Sequence, residues 1–85
     1  MNTLILIRGT DVGKQYGLCK AYAEEKGYNV LGVVTNVNQV AKLIVNDKVD
    51  VLLASHMSRI TRKYEEYLQI EYMLRGYGTS IEIAK

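Results

Sequence analysis

The apolar run at residues 49–54 constrains the fold of this chain more than any other stretch. Its sequence, VDVLLA, is typical of a strand that is covered on both faces in a parallel sheet. The chain then turns polar at Ser55 and His56 and continues with Arg59 and Arg62, which share one face if that segment is helical. A buried strand that leads through a polar turn into such a helix favours a phosphate or other oxyanion site.

Strand-like and helical segments alternate along the whole chain. Strands are predicted at residues 3–7, 29–35, 49–54 and 79–84, and helices at 14–26, 37–46 and 59–74. Gly27 is expected to end the first helix, and Ser58 to cap the start of the third. This order predicts one α/β domain with three layers, in which helices cover both faces of a mainly parallel four-stranded sheet.

The helical spacing also predicts which side chains face the core. The expected core-facing residues are Leu18, Ala21, Tyr22 and Glu25 in the first helix, Val40, Leu43 and Ile44 in the second, and Ile60, Tyr64, Tyr67, Leu68 and Leu74 in the third. Cys19 lies in the first helix and is expected to be a small buried residue rather than part of a disulfide.

Composition excludes several classes of function. The net charge is +2 over 85 residues, too weak for a strongly basic face that binds duplex DNA. His56 is the only histidine, so no metal site is expected, and no cofactor is predicted. With a single cysteine, no signal peptide and no apolar run long enough to span a membrane, the chain is expected to be cytoplasmic.

The first connection, residues 9–14, has the sequence GTDVGK and invites comparison with a phosphate-binding loop. A Walker loop needs four residues between its glycines and a serine or threonine after the lysine, whereas here there are three residues and Gln15. We therefore expect Gly9 and Gly13 to permit a tight turn, with nucleotide binding as the weaker alternative.

The stretch VDVLLASHMSRITR resembles the catalytic domain of the serine recombinases, the resolvase/invertase family, whose pattern here is VDVL-V-YKLDRLSR. Arg59 and Arg62 match the two arginines of that pattern. LILIRGT is similar to the family's opening strand, YIRVST, and QYGLCKAYAEEKG to its first helix. The resemblance covers nearly the whole chain and implies a resolvase-like sheet with strand order 2-1-3-4.

The resemblance also implies a site, but in a degenerate form. In the family such arginines hold the scissile phosphate, which would make Arg8, Arg59 and Arg62 the candidates for phosphate binding. The position of the nucleophilic serine falls on Thr10, and Ser58 stands where the family has an aspartate. The loops after the first and second strands are shorter than the family pattern. These departures predict a pseudoenzyme without catalytic residues, although threonine can act as a nucleophile.

The sequence stops at Lys85, before the oligomerisation helix and DNA-binding domain that the family would place next, so neither is expected. The resemblance then implies a small protein of a phage or mobile element, which acts by protein–protein interaction with itself, with a recombinase or with another partner. The interaction candidates are Tyr64, Tyr67 and Tyr72, because tyrosine is favoured at interfaces.

Three alternatives stay open at this point. The three arginines could bind DNA or phosphate weakly. They could instead pair with carboxylates such as Asp11 or Glu66 and only orient the third helix. An active recombinase is the remaining alternative.

Overall fold

The computed structural model describes residues 1–84. Its elements are β1 (Asn2–Leu6), α1 (Val12–Lys26), β2 (Asn29–Val34), α2 (Val37–Asn46), β3 (Val51–Ala54), α3 (Met57–Ile60), α4 (Tyr64–Arg75) and β4 (Ser80–Ile83). The strands form one parallel sheet in the order β2-β1-β3-β4. The predicted α/β fold and strand order are confirmed. No helix within residues 1–84 is long and apolar enough to cross a membrane.

One face of the sheet is covered by α1. Cys19 and Ala23 are fully buried there, and their small side chains let the helix approach Ile5 and Leu53 closely. The predicted burial of Cys19 is confirmed, and burial raises the pKa of its thiol to about 11. The predicted core face of this helix is right only for Tyr22, which packs partly against the core; Leu18 is 40% exposed, and Ala21 and Glu25 are exposed as well.

Gly27 ends α1 as predicted. It lies in the left-handed region at φ 73°, and its N–H points back to the carbonyls of Ala23 and Glu24. A side chain with a Cβ rarely adopts this conformation, so glycine is the residue that lets the chain turn directly into β2.

The other face of the sheet is covered by α2, α3 and α4. Its buried side chains include Val40 and Ile44 from α2, Ile60 from α3 and Leu74 from α4, packed against Leu4, Leu6, Leu52 and Ala54 of the sheet. Leu43 of α2 was predicted to join this core but is 38% exposed.

The third predicted helix is two helices in the structure. Between α3 and α4, Thr61 is extended at φ −162° and ψ 154°, and its hydroxyl accepts a hydrogen bond of 3.2 Å from the N–H of Lys63. Such a local bond gives the backbone an alternative to helix. Ser58 is therefore not the predicted cap: it lies exposed inside α3, which begins after His56.

α4 begins after this break, and its core face matches the prediction at Tyr67 and Leu74 but not at Tyr64 and Leu68. Tyr67 and Ile70 pack partly against the core, and Leu74 is fully buried. Tyr64 and Leu68, which were expected to face the core, are 62% and 43% exposed.

The edge strand β4 is tied to α1 by a carboxylate. Glu82 accepts a hydrogen bond of 2.9 Å from the hydroxyl of Tyr22 and of 3.0 Å from that of Tyr28. These hydrogen bonds to Glu82 raise the pKa of both tyrosines, because the neutral hydroxyl is the form that can donate.

Candidate functional site

The site lies where β1 and β3 end. These neighbouring strands are parallel, so Arg8, which follows β1, meets the turn that follows β3. Arg59 Nη1 donates to the carbonyl of Arg8 at 3.2 Å, and Arg8 Nη1 donates to the carbonyl of Ile60 at 3.3 Å. Each arginine thus holds the backbone of the other's segment, which fixes the two connections against each other.

Gly9 makes this close approach possible. Its φ is +80°, and a Cβ at this position would lie 3.0 Å from Arg59 Nη1. The backbone conformation therefore favours glycine here, and a larger residue would also push the end of the Arg59 side chain away from the loop. Gly13, which was expected to belong to the same turn, lies instead in the first turn of α1.

A cavity of about 400 Å³ opens beside these arginines. We call it the arginine cavity; its lining residues are Arg8, Gly9, Ser58, Arg59, Thr61, Arg62, Lys63 and Glu66. Four of these side chains are cationic and one is a carboxylate. The three arginines singled out from the sequence are therefore brought together at one cavity.

The geometry of Arg62 differs from the prediction. It lies in the short connection between α3 and α4, so it does not share a helical face with Arg59. Their shared cavity results from the fold of the connection after Thr61 rather than from helical spacing.

The arginines of the cavity are not neutralised by carboxylates in the part of the chain that the structure describes. The ion pairs found within residues 1–84 are Lys48 with Asp50 at 4.0 Å and Arg75 with Glu71 at 3.7 Å. The interpretation in which the arginines pair with Asp11 or Glu66 is therefore wrong for these residues, and the guanidinium charges face the cavity without a fixed counter-charge.

Gln15 is the residue that sequence reasoning missed. It is 4% exposed, and its amide oxygen accepts the N–H of Arg8 at 3.0 Å. Its amide nitrogen donates to the carbonyl of Arg8 at 2.9 Å and to that of Thr10. One side chain thus holds the whole loop that connects β1 to α1. No local sequence signal distinguishes it from an ordinary polar helix residue.

Thr10 lies exposed on that loop, outside the set of residues that line the arginine cavity. Its carbonyl is held by Gln15, and the next residue, Asp11, has a φ of +57°. The hydrogen bond that fixes this part of the loop is therefore made by the Thr10 backbone carbonyl and not by the Thr10 hydroxyl.

His56 precedes α3, and its carbonyl accepts the N–H of Arg59 at 3.0 Å. The structure has no group of three or more His, Cys, Asp or Glu side chains arranged for a metal ion among residues 1–84.

The three tyrosines singled out for interaction have different environments. Tyr72 is 78% and Tyr64 62% exposed, whereas Tyr67 packs partly against the core and stacks on Tyr64 with ring centroids 6.5 Å apart. Burial raises the pKa of Tyr67. Tyr64 and Tyr72 are therefore exposed on the outer face of α4, whereas Tyr67 lies between Tyr64 and the core.

No protein-family model matches the sequence, and no curated protein matches it by sequence comparison. Solved structures do share its fold. The C-terminal catalytic domain of ISC1926 TnpA, an IS607-like serine recombinase, is 24% identical with a TM-score of 0.88, over 100% of this chain and 68% of that one. The N-terminal catalytic domain of TP901-1 integrase is 16% identical with a TM-score of 0.91, over 99% and 77% of the two chains.

A resolvase family site-specific recombinase from Streptococcus pneumoniae is likewise similar, at 16% identity and a TM-score of 0.86 over 99% of this chain and 72% of that one. The similarity extends over the complete sheet and its helices in all three comparisons. The resemblance seen in the sequence is thus confirmed at the level of structure: the chain has the fold of a serine recombinase catalytic domain.

Proposed function

We propose that this chain is a catalytically inactive domain of the recombinase fold that binds backbone phosphates of a nucleic acid at the arginine cavity without cutting the strand. The observation that carries the proposal is the excess of cationic side chains in that cavity, four against one carboxylate, with no ion pair to Arg8, Arg59 or Arg62 among residues 1–84. Arginine guanidinium groups bind phosphate with charge-assisted, often bidentate hydrogen bonds.

The ligand class follows from the site and from the structures that share the fold. One of them is a site-specific recombinase, which makes a DNA phosphate the first candidate. The cavity presents mainly hydrogen-bond donors and positive charge, which suit phosphate oxygens, so the expected binding is to the backbone and independent of sequence.

The absence of cleavage is supported by the nucleophile position. Thr10 lies outside the lining of the arginine cavity, and Gln15 holds its loop by the backbone. Ser58 lines the cavity where the resemblance would place an aspartate, so it offers no carboxylate to act as an acid or base at neutral pH.

Binding is best tested by fluorescence anisotropy with labelled duplex and single-stranded DNA over a range of salt concentrations. We expect a Kd on the order of 10⁻⁴ M at physiological salt, because few phosphates can be neutralised. Four cations less one carboxylate give the cavity a net charge of +3, enough to neutralise about three phosphates. This predicts a slope of about −2.7 in log affinity against log salt, or about 40-fold weaker binding between ~50 and ~200 mM.

The Arg59→Ala, Arg62→Ala double variant should lower that slope to about −0.9, since Arg8 and Lys63 less the Glu66 carboxylate leave the cavity with a net charge of +1. A matched control is Lys20→Ala with Lys42→Ala, two exposed lysines outside the cavity that change the net charge equally. If the control weakens binding as much as the arginine variant, the cavity is not the site.

Catalysis is tested by incubating the protein with supercoiled plasmid and looking for a covalent protein–DNA adduct. No adduct is expected. An adduct that disappears in the Thr10→Ala variant would show that the domain is an active nuclease and would overturn the proposal.

A second candidate function is protein–protein interaction through the outer face of α4, in a protein of a phage or mobile element. Tyr64, Leu68 and Tyr72 lie at i, i+4 and i+8 and are 62%, 43% and 78% exposed, so they form one apolar stripe. Exposed tyrosines with a leucine between them are typical of an interface rather than of a solvated helix face.

This second function predicts association that depends on the stripe and not on the arginines. Sedimentation equilibrium of the chain, alone and mixed with a recombinase catalytic domain, measures it. Tyr64→Ala or Tyr72→Ala should weaken association by about five-fold or more, about 1 kcal/mol for an interface tyrosine. The Tyr77→Ala variant, at a tyrosine 53% exposed beyond α4, is the control. Equal effects at Tyr77 would argue against the stripe.

A further inference from the structure

A second, smaller concavity lies between the start of α1 and the turn that follows β3. Its volume is about 170 Å³, and the side chains that matter to it are Asp11, Lys14, Leu18, Ser55, His56 and Arg59. We call it the Ser55 recess. Arg59 borders both the recess and the arginine cavity, and no other residue is shared between the two linings.

Two buried polar atoms in this region lack a partner. Within the described chain, the buried side-chain nitrogen and oxygen atoms without a hydrogen bond are Ser55 Oγ and Arg59 Nε. Ser55 is 3% exposed, and both residues line the recess. Native proteins nearly always pair such atoms, because an unpaired buried donor is costly. Two unpaired atoms at one recess therefore indicate a ligand.

The recess presents mainly donors and positive charge. Arg59 Nε and the Lys14 ammonium can only donate, and the Ser55 hydroxyl can donate as well. Asp11 contributes one carboxylate against the two cations, so the recess keeps an excess positive charge. A ligand that satisfies these groups must offer several acceptor oxygens and carry negative charge.

The start of α1 adds to this preference. The Asp11 side chain makes no capping hydrogen bond to the helix, and α1 is 15 residues long. The first N–H groups of a helix favour an anion, since they lack partners within the helix and lie at the positive end of its dipole.

We infer that the Ser55 recess is a second oxyanion site that takes a phosphate group through Ser55, Arg59 Nε and Lys14. Its volume of about 170 Å³ is several times the ~30 Å³ that one water molecule occupies in the liquid, so it has room for a tetrahedral anion. The phosphate can come from a nucleic-acid backbone or from free phosphate. The two sites share Arg59, but they can be tested separately, because Arg62 and Lys63 line only the arginine cavity and Ser55 and Lys14 line only the recess.

The test is a titration of the ¹⁵N-labelled full chain with inorganic phosphate at constant ionic strength, followed by the amide signals of Ser55 and His56. We expect these signals to shift and to saturate in the millimolar range. Ser55→Ala should weaken this binding about ten-fold, the loss of one hydrogen bond to a charged group. Its thermal stability should not fall, because the substitution removes a hydroxyl that has no partner in the protein.

Lys14→Ala is the second variant, and it should also weaken phosphate binding at the recess, since Lys14 is exposed and its removal leaves the core intact. Arg62→Ala is the control that should leave the shifts of Ser55 and His56 unchanged. A titration with a short oligonucleotide lacking terminal phosphates separates the sources: saturation at a lower concentration than with inorganic phosphate identifies a backbone phosphate, and the reverse identifies free phosphate.

Three results would overturn the inference. The signals of Ser55 and His56 could stay unmoved by phosphate, which would leave only water in the recess. Ser55→Ala and Lys14→Ala could bind phosphate as tightly as the unaltered chain. Arg62→Ala could abolish the shifts, which would assign them to the arginine cavity instead.

Discussion

Replacing Gln15 with alanine is expected to lower the free energy of unfolding by about 2–3 kcal/mol. The substitution removes three hydrogen bonds, two to the backbone of Arg8 and one to the carbonyl of Thr10, each with a net value of about 1 kcal/mol. Gln15 is 4% exposed, so its loss also leaves a space in the packing. Water reaches the exposed loop and replaces part of the lost hydrogen bonding, so the free energy of unfolding should not fall by more than about 3 kcal/mol.

Urea unfolding followed by far-ultraviolet circular dichroism measures this difference. The dependence of the free energy of unfolding on urea concentration, the m value, should be unchanged. The matched control is Gln39→Ala. Gln39 also binds a backbone N–H, that of Thr35 at 2.7 Å, but it is exposed and should contribute only about 0.5 kcal/mol. Gln15→Glu should destabilise at least as much as Gln15→Ala, since a carboxylate cannot donate to the carbonyls of Arg8 and Thr10.

The reasoning is refuted if Gln15→Ala loses no more stability than Gln39→Ala. It is also refuted if Gln15→Glu unfolds at the same urea concentration as the unaltered chain at neutral pH, because that would mean the amide donors contribute nothing to the loop.

Three further outcomes are expected. Cys19, with a pKa of about 11, should react with a thiol reagent at about pH 8 roughly a hundred-fold more slowly in the folded chain than in urea. Tyr22 and Tyr28 have a raised pKa in the folded state, so their hydrogen bonds stabilise the fold fully below pH 10.0, the ordinary pKa of tyrosine. This stabilisation is lost as the pH rises through the folded-state pKa. Urea unfolding across this pH range should show a smaller loss of stability in the Tyr22→Phe, Tyr28→Phe variant than in the unaltered chain. Gly9→Ala should cost about 1–2 kcal/mol from its positive φ, measured by urea unfolding, and should weaken DNA binding by displacing Arg59.

The sheet could be predicted because its signals are local and repeated. Short valine- and leucine-rich runs separated by helical spacing specify parallel strands with covered faces, and the second helix was placed at its observed bounds. The strand order came from the resemblance, since spacing alone does not order a parallel sheet.

The break between α3 and α4 could not be predicted, because the extended Thr61, whose hydroxyl accepts the N–H of Lys63, has no local sequence signal. Threonine occurs inside many helices, so its presence gives no signal of a break. Because one continuous helix was predicted, Tyr64 and Leu68 were wrongly expected to face the core.

At the site, the convergence of Arg8 with Arg59 was predictable from the shared edge of parallel strands. Their partners were not: whether a guanidinium faces a carboxylate, a carbonyl or a cavity depends on loop backbone such as Gly9 and Asp11, both at positive φ. The same holds for Gln15, because its amide finds its partners on Arg8 and Thr10 only once the loop has folded over it.

The position of β1 has a consequence for how the chain folds as it is made. β1 is synthesised before the other three strands, yet it lies inside the sheet. Its contact with the segment before β3 spans 48 residues, as in the bond from the Asn2 N–H to Asp50. Closing so long a loop is entropically unfavourable and slow compared with forming a local hairpin. The apolar LILI segment therefore stays unpaired on one side until β3 leaves the ribosome. A nascent chain arrested before Ala54 exposes that segment to aggregation or to a chaperone, and a chain extended through Ala54 can begin to bury it.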